Sequence, residues 1–437
     1  MDGPTDRRKM AGKSRYFTDG FVCAGFMCGS SLDGLDGALI RVRKRSVSLL
    51  AFAHHPFDNS FSDTIRNGLA GNAPGKTISG FWGMTENLVS LVELDLFKKL
   101  LASASISEKE VDLIGSHGIT SSHHPSAGLS LSGIPIPGHT VQLTNPHLLT
   151  EAFGIPVVSD FRRTDVASGG EGAPLAPIFH RAVLTHKTIN RAFLNLGGIA
   201  NITSLPSRRG SGNPIIAFDT GPGNMLIDAG ARWISKGKRG FDPNGEMAGN
   251  GQAVESLVEK VCQDPWLHRA PPKSTGRESW GEDRFREILG QMPLRFSPED
   301  LMATLTEITA LSVAKSLDWI TPCPEEIIVG GGGARNLTLM NRLRIRCNKE
   351  VSPSETLGIP AQAVESMAFA YLALLSMTQR PGTLPELTGG KAGRVLGTVT
   401  FPSSRSLASI LPGMIRGGDI HLPFPDRARA RMLPGPG

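Results

Sequence analysis

GFVCAGFMCGSSLDGLDGALI, residues 20–40, consists of an apolar run, a short Gly/Ser turn and a second apolar run. The first run, residues 20–28, predicts a buried strand, and residues 36–42 predict a second strand after the turn. Residues 46–52 would add a third strand and complete a meander. Because a strand rather than a helix follows the turn, this stretch predicts a hairpin and not a Walker loop, in which a helix follows the glycines.

A similar hairpin begins the second half of the chain. Residues 191–196 and 199–205 are apolar runs separated by Gly197-Gly198, and a third run, residues 215–218, ends at Asp219. Elsewhere strand patterns alternate with helical ones, which is typical of an α/β architecture. We therefore predict two related domains that face one another across a cleft, although the two halves share too little sequence to be called a repeat.

Apolar spacing also predicts a long helix over residues 79–104, with Leu88, Val92, Leu96 and Leu100 on one face. Further elements predicted from pattern are helices at 146–154, 301–317, 337–346 and 363–377, and strands from about 111, at 155–159 and at 326–329.

The length of 437 residues suits two domains better than one. We expect the first domain at residues 19–160, rejoined by residues from about 380 to 402, and the second domain at residues 161–379. We expect residues 1–18 to be a disordered basic extension, and residues 403–437 to be a C-terminal extension that is rich in proline and arginine.

Composition excludes several classes of protein. The net charge is +6, but much of the excess lies in the two ends, and no aromatic residues are interleaved with it as in a nucleic-acid surface. The five cysteines are odd in number and none has C-x-x-C spacing, so we expect neither disulfides nor a zinc site, and a reducing compartment such as the cytoplasm. No apolar run approaches the roughly 18 residues of a membrane span.

Three glycine turns are candidate phosphate or nucleotide contacts. Gly29–Gly34 would point backbone N–H groups and hydroxyls into one concavity, and Asp33 or Asp36 could orient a magnesium ion through water. Gly197-Gly198 lets a phosphate approach the backbone closely. An ordinary β-hairpin is an equal alternative for both turns. Gly330–Gly333, between a strand and a helix, leaves room for an adenosine, and a mere connector is the weaker alternative.

Asp219 follows a strand inside a glycine turn, where an aspartate is well placed to act as a general base. The alternative is a cap on a helix that begins near Asn224. Two carboxylates and two arginines occur together at residues 160–165, and an arginine fork suits a substrate carboxylate or phosphate. A structural ion-pair network is the alternative, and it is favoured for Arg162 more than for Arg163. The histidines near residues 117–124 lack zinc-site spacing.

The order of these features resembles the superfamily of actin, hexokinase and the heat-shock chaperone ATPases. Longer stretches resemble one family, the anhydro-N-acetylmuramic acid kinases, in family order over about residues 20–402. They include GSSLDGLDGALI, GSHGIT, SDFRRTDVASGGEGAPLAPIFHRA, LNLGGIANIT, FDTGPGNMLIDA, PPKSTGRE, GGGGARN and VESMAFAYLA.

This resemblance implies two actin-like (ribonuclease H-like) ATPase domains and a kinase that uses ATP and Mg²⁺. In that family water opens the 1,6-anhydro ring of 1,6-anhydro-N-acetylmuramic acid while the γ-phosphate of ATP moves to O6. The product is N-acetylmuramic acid 6-phosphate, an intermediate of peptidoglycan sugar recycling. The resemblance also implies a homodimer.

The resemblance carries residue roles to matching positions. Asp219 would activate the water, and Glu365 would help to hold the water or the sugar, while Thr120, Arg163 and Asp165 would line the sugar site. No residue would bind magnesium directly, which would be held through ATP phosphates and, by way of water, Asp33. The ATP contacts would be Gly29, Ser30, Ser31, Leu32, Asp33, Gly34, Leu35, Asp36, Gly197, Gly198, Gly331, Gly332, Gly333, Ala334 and Asn336.

The sequence departs from the family pattern at Ile119, where a glutamine is usual, so one amide donor and acceptor is missing. Two alternatives stay open. The substrate could be another anhydro-sugar without the lactyl acid, such as levoglucosan, or the protein could bind nucleotide and sugar without catalysis. Intact Asp219, Glu365 and glycine turns argue against the second alternative.

Overall fold

A computed structural model describes residues 20–29, 32–44, 46–69, 77–125, 130–210 and 212–403. The two predicted extensions, 1–18 and 403–437, lie outside these ranges except for residue 403, and so do Ser30 and Ser31.

The strands of the described residues belong to two large sheets and two short ribbons. Their bounds are β1 Phe21–Met27, β2 Gly34–Arg43, β3 Ser46–Pro56, β4 Leu113–Ser116, β5 Ile119–His124, β6 Ser130–Leu131, β7 Ile134–Pro135, β8 His139–Leu143, β9 Val157–Ser159, β10 Arg191–Leu196, β11 Ile199–Leu205, β12 Ala217–Pro222, β13 Glu326–Gly330, β14 Glu350–Pro353 and β15 Thr398–Thr400.

The helices pack against these sheets. Their bounds are α1 Asn59–Leu69, α2 Ile78–Ala104, α3 Pro146–Phe153, α4 Arg163–Ala167, α5 Pro177–Leu184, α6 Met225–Ile234, α7 Glu246–Asn250, α8 Glu255–Val261, α9 Arg277–Trp280, α10 Glu282–Leu289, α11 Pro298–Ser316, α12 Leu337–Cys347, α13 Val364–Met377 and α14 Pro385–Thr388.

The two large sheets share one topology. In the first, β1, β2 and β3 form an antiparallel meander, and β4 and β9 continue from β1 in parallel. In the second, β10, β11 and β12 form the meander, and β13 and β14 continue from β10 in parallel. Among these five strands the order third, second, first, fourth, fifth, with the second strand antiparallel to the others, is that of the ribonuclease H-like fold, and in the first sheet β15 adds a sixth strand antiparallel to β9. The occurrence of this order in both sheets confirms the expected fold class.

Both faces of the first sheet are covered, so strand β1 is buried along its whole length. Val22, Ala24 and Phe26 point toward helix α2, while Phe21, Cys23 and Met27 point toward α13, because successive side chains of a strand alternate between its faces. The cluster around α13 also contains Phe193 and Ile328 from the second sheet. The largest cluster covers the other face of that second sheet with helices α6, α11 and α12.

Helix α13 lies against a pair of facing glycines. Gly25 of β1 and Gly115 of β4 are register partners. A Cβ at Gly25 would lie within 2.1 Å of the Ser366 carbonyl oxygen, and a Cβ at Gly115 would lie within 2.4 Å of the Phe369 carbonyl oxygen. The backbone of the helix therefore approaches the sheet as closely as it does because both positions lack a side chain.

The structure corrects two expectations. Strand β12 runs through Asp219 to Pro222 instead of ending at residue 218. Helix α2 exposes Leu88 and buries Glu93, because its inward face follows Val89, Leu96 and Leu100. Helix α13 precedes residue 379 but packs on strands of the first sheet. The predicted domain limits therefore stay a prediction, and the packing of this helix does not follow them.

All five cysteines are free. Within the described ranges, no helix combines the length and the apolar character that crossing a bilayer would require.

His180 in α5 introduces a pH-sensitive element between the sheets. Its Nδ1 lies 3.3 Å from the Thr203 hydroxyl and its ring centroid lies 4.2 Å from that of Phe193, while its Nε2 has no hydrogen-bond partner among the residues that the structure describes. Burial lowers the pKa of His180 from 6.5 to about 3. Between these values the unfolded chain binds a proton that the folded chain does not, so acid destabilises the fold.

We expect His180 to make the free energy of unfolding fall by up to about 1.4 kcal/mol per pH unit as the pH drops below about 6.5. Urea unfolding at a series of pH values should show a slope smaller by this amount in His180→Leu than in the wild type, because His117, also buried with a lowered pKa, keeps its own contribution in both proteins. If the two proteins have parallel pH dependences, His180 is not the group responsible.

Candidate active site

The turn between β1 and β2 brings the first acidic residues of the site together. The Leu32 N–H donates to the Gly29 carbonyl over 3.2 Å, and Leu32 has a φ of 53°. Asp33 is exposed to solvent. Asp36 on β2 has its Oδ1 at hydrogen-bond distance, 2.8 Å, from His54 Nδ1. Leu35 points into the core, so only its backbone can face a ligand.

Glu365 in the first turn of α13 joins this group from the other end of the chain. Its pKa is raised, chiefly by burial and then by Asp36, with Asp33 adding to the effect, while the Arg162 charge lowers it. Burial raises the pKa of the Cys28 thiol, and the negative charges of four carboxylates raise it further: Asp33, Asp36, Glu93 and Glu365. Carboxylates that are far apart in sequence therefore meet behind the β1–β2 turn.

Arg162 and His117 lie beside Glu365. Arg162 Nε donates to His117 Nε2 over 2.9 Å, and its Nη1 donates to the Gly172 carbonyl over 2.9 Å. His117 Nδ1 lies 3.0 Å from the Gly118 carbonyl, and burial followed by the Arg162 charge lowers the pKa of His117. His117 is therefore a neutral imidazole that accepts from Arg162, and Arg162 supplies the positive charge near Glu365.

The second sheet contributes two glycine turns, and the polyglycine turn packs against the end of β10 that leads into Gly197-Gly198. A Cβ at Gly331 would lie 2.6 Å from Asn195 Oδ1, and one at Gly333 would lie 2.6 Å from the Leu196 Cβ, whereas one at Gly332 would meet nothing within 4 Å. Gly331 has a φ of 79°, which favours glycine, and its N–H donates to the Ala361 carbonyl over 3.1 Å. This bond connects the polyglycine turn to the segment that leads into α13 and Glu365.

The Gly197-Gly198 turn is tied to the start of helix α6. The Asn224 N–H donates to the Gly197 carbonyl over 2.8 Å, and the Met225 N–H donates to the Gly198 carbonyl over 3.1 Å. Asn224 also donates through its side chain to the Leu196 carbonyl over 3.0 Å. These bonds hold the turn beside a helix N-terminus, a setting that favours anionic groups.

Asp219 has one carboxylate oxygen held by the protein. Its Oδ2 accepts the Thr275 N–H over 2.9 Å, and its backbone N–H donates to the Lys273 carbonyl over 3.1 Å. Burial raises the pKa of Asp219 to about 6, against the lowering effects of the Thr275 N–H and of Lys273. This bond is made to residue 275 and not to the first turn of α6, so the helix-cap alternative is wrong.

The three residues expected at the sugar differ in setting. Thr120 lies on β5, partly buried, with its hydroxyl 3.5 Å from Gln142 Nε2. Arg163 is exposed, and its Nη2 lies 3.4 Å from Asp160. Asp165 is completely buried, where its Oδ2 accepts the Gly172 N–H over 2.8 Å and its Oδ1 accepts the Thr388 hydroxyl over 3.1 Å. Both carboxylate oxygens of Asp165 thus hold the 165–172 loop and Thr388, and a contact of Asp165 with the sugar stays a prediction.

Two of the expected adenosine contacts also have structural surroundings. Asn336 caps helix α12, since its Oδ1 accepts the Leu339 N–H over 2.9 Å. Ala334 is buried beneath the turn. Gly332 is exposed in this turn, and so is Arg335 after it. In the part of the chain that the structure describes, no three His, Cys, Asp or Glu side chains are grouped as ligands for one metal ion.

Two polar residues near the site were not identified from the sequence. Glu93 is buried, with hydroxyl groups of Ser116, Thr144 and Ser90 at 2.6, 3.2 and 3.4 Å, and burial raises its pKa to about 7. A glutamate in an amphipathic helix is usually exposed, so its pattern carried no signal. Lys273 entered the sequence analysis only within the stretch PPKSTGRE, yet it is buried next to Asp219.

Comparison with known proteins bears on this arrangement of residues. The model of one family, Anhydro-N-acetylmuramic acid kinase, matches residues 22–402. The chain belongs to the anhydro-N-acetylmuramic acid kinase family. It is accordingly an enzyme of the kinase class.

Similar proteins of known family support this assignment. The anhydro-N-acetylmuramic acid kinase of Bordetella pertussis is 38% identical over 88% of this chain and 97% of its own length. That of Pseudomonas fluorescens is 40% identical over 86% of this chain and 98% of its own length. A xylulose kinase structure from Rhodospirillum rubrum covers 88% of this chain and 94% of that one at 13% identity and a TM-score of 0.40, too low to add to the assignment.

Proposed function

We propose that this protein uses ATP to phosphorylate 1,6-anhydro-N-acetylmuramic acid at O6 while water opens the anhydro ring. The product would be N-acetylmuramic acid 6-phosphate, in the recycling of cell-wall sugars. Family membership over residues 22–402 supports this choice of substrate. The observation that carries the proposal is Asp219, a desolvated carboxylate with one oxygen fixed by the Thr275 N–H, as a general base requires.

In the proposed step, a water oxygen attacks C1 of the sugar and the C1–O6 bond breaks. O6 attacks the γ-phosphorus, so ADP leaves with the electrons of the broken P–O bond. Asp219 takes the proton that the water loses as its oxygen bonds to C1. With a pKa of about 6, this carboxylate is ionised at neutral pH and is a stronger base than an ordinary aspartate.

The ATP phosphates would lie between the β1–β2 turn and the Gly197-Gly198 turn. The backbone around Gly197 is open, since a Cβ there would find its first neighbour at 3.4 Å. The helix N-terminus beside this turn favours phosphate oxygens. The adenosine would lie over Gly332, where a side chain would meet nothing within 4 Å.

The donor chemistry near Asp33 fits Mg²⁺, which prefers oxygen ligands and keeps several of its waters. Asp33 and Asp36 offer carboxylate oxygens beside the turn, and Asp36 already has one of its oxygens at His54. When bound, the ion would neutralise charge on the phosphates. Asp33 would hold one of its waters, and no protein side chain would be a direct ligand.

Glu365 would hold the water or the sugar at the reacting end of the site. Its position in the first turn of α13 links it to Gly331 through the Ala361 carbonyl. The Arg162 charge favours the ionised form of Glu365 against burial. Glu365 would therefore accept a hydrogen bond from a substrate hydroxyl or water in the course of the reaction.

Arg163 is the residue that would distinguish the muramic substrate from levoglucosan. Its exposed guanidinium can reach a substrate carboxylate because its contact with Asp160, at 3.4 Å, is a weak surface pair. We expect Arg163→Ala to raise KM for the anhydro-muramic sugar about tenfold, the loss of one charge-assisted hydrogen bond, with little change in kcat. Arg208→Ala, which removes an exposed arginine outside the site, is the control. An unchanged KM would mean that no substrate carboxylate lies at Arg163.

One assay tests the function directly. The purified protein is incubated with ATP, Mg²⁺ and 1,6-anhydro-N-acetylmuramic acid, and with levoglucosan in a parallel reaction. The 6-phosphate products are then separated and identified by mass spectrometry. We expect product from the muramic sugar. Product from levoglucosan alone would overturn the substrate, and absence of ATP turnover with both sugars would favour a binding protein without catalysis.

We also propose a homodimer in the cytoplasm, as the family resemblance implies. Exposed apolar side chains on one helix, Ile78, Met84, Leu88 and Leu91 of α2, support an association of this kind.

A further inference from the structure

A lysine ammonium is buried beside the proposed base. Lys273 is 7% exposed, and its Nζ donates to the Leu267 carbonyl over 2.7 Å. The ammonium lies 4.8 Å from the ring centroid of Trp266 and 5.7 Å from that of Phe218. A carbonyl dipole and two aromatic faces stabilise a cation only in part, so a buried lysine of this kind depends on a nearby negative charge.

The charges that act on Lys273 are those of two residues. Burial and then the Arg269 charge lower the pKa of Lys273, and the Asp219 charge raises it. The effect is mutual, since Lys273 opposes the rise that burial causes in the pKa of Asp219. The anion that compensates the buried ammonium is thus the carboxylate that the proposed reaction uses.

The backbone couples the same two residues. Lys273 accepts the Asp219 N–H at its carbonyl, and two residues later the Thr275 N–H donates to Asp219 Oδ2. Segment 273–275 is therefore hydrogen-bonded both to the backbone of β12 and to one carboxylate oxygen of Asp219. The anchor of this segment is the Lys273 side chain, which ties it to Leu267 and Trp266.

We propose that Lys273 is a positioning residue for Asp219: its buried side chain anchors segment 273–275, whose backbone fixes which carboxylate oxygen faces the water, and its ammonium supplies a positive charge near that carboxylate. This inference deepens the proposed function and rests on it for the catalytic consequence. The pairing of Lys273 with Asp219 is testable without turnover.

The kinetic test measures kcat/KM against pH for Lys273→Met, for Lys273→Gln, which keeps a hydrogen-bond donor without the charge, and for Lys273→Arg, which keeps the charge. We expect the acid limb of the profile to move up by about one pH unit in the first two variants and to stay near the wild-type position in Lys273→Arg. A uniform loss of rate with an unmoved acid limb would assign Lys273 a purely structural role and overturn the proposal.

Lys315 provides a matched control. Its Nζ donates to the Cys262 carbonyl over 2.9 Å, so Lys315→Met also removes a lysine that is bonded to a backbone carbonyl. The Asp219 pKa is influenced by Lys273 and not by Lys315. We expect Lys315→Met to leave the acid limb in place, and an equal shift in this variant would contradict the specific pairing.

The second test is a double-mutant cycle on thermal stability, combining Lys273→Met or Lys273→Gln with Asp219→Asn. At about pH 8 the loss of Tm from removing Lys273 should be smaller in the Asp219→Asn background, because the partner charge is already gone. At about pH 4.5 Asp219 is protonated, and the two backgrounds should agree. If the loss of Tm is the same in both backgrounds at both pH values, the pairing of Lys273 with Asp219 is wrong, whether or not the protein phosphorylates a sugar. If the two residues are coupled but no sugar is phosphorylated, the pairing stands and only the proposed function is wrong.

Discussion

Replacing Asp219 with asparagine is expected to lower kcat about 10²- to 10⁴-fold while ATP binding stays nearly unchanged. Asparagine has the same shape and keeps an oxygen that accepts the Thr275 N–H, so the local geometry survives. What it loses is the basic carboxylate that takes the proton from water. Steady-state kinetics with the anhydro-muramic sugar and a separate ATP titration would measure the two quantities.

The control for this variant is Asp283→Asn, which removes an exposed carboxylate from helix α10. It should keep the wild-type rate. In the wild type, kcat/KM should rise with pH through about 6, the pKa of Asp219, because only the ionised form accepts a proton. An Asp219→Asn enzyme that retains half of the wild-type rate would remove Asp219 from the role of base.

Gly25→Ala is expected to destabilise the fold by about 1–3 kcal/mol and to reduce activity together with stability. The added Cβ would lie 2.1 Å from the Ser366 carbonyl oxygen and 2.4 Å from the Ala370 nitrogen, so helix α13 would have to move away from β1. Because Glu365 lies in the first turn of α13, this movement would displace a residue of the site. Urea unfolding and kcat at a permissive temperature would measure the two effects.

Gly83→Ala in helix α2 is the matched control, since a Cβ there would meet nothing within 4 Å. In a helix that change should stabilise by about 0.5–1 kcal/mol, because alanine loses less backbone entropy on folding than glycine does. If Gly25→Ala were as stable as the wild type, the close approach of α13 to the sheet would not depend on this glycine.

The local elements of this fold were predictable because their signals lie within a few residues. Strands β10 and β11 have the bounds that their apolar runs predict, 191–196 and 199–205. Helix α13 was predicted within one residue at its start. Strand β12 was cut short because Asp219 and the glycines after it resemble a turn, while its pairing with β11 keeps the chain extended to Pro222.

Long-range features were beyond the reach of these patterns. The contact between α13 and Gly25 joins residues about 340 positions apart, and no local signal marks it. The same holds in the site, where no local signal places Arg162 near Glu365. The burial of Asp165 was also not predictable, because one of its two partners, Thr388, is distant in sequence from it.

The packing of helix α13 has a consequence for how the polypeptide is made. Strands β1 to β4 leave the ribosome early, but the helix that covers one of their faces ends at Met377, and β15, which pairs with β9, lies at Thr398–Thr400. The N-terminal sheet therefore stays uncovered on that face until almost the whole chain is synthesised. Such an exposed apolar sheet invites aggregation, so we expect nascent chains that stop before residue 364 to depend on chaperones to remain in solution.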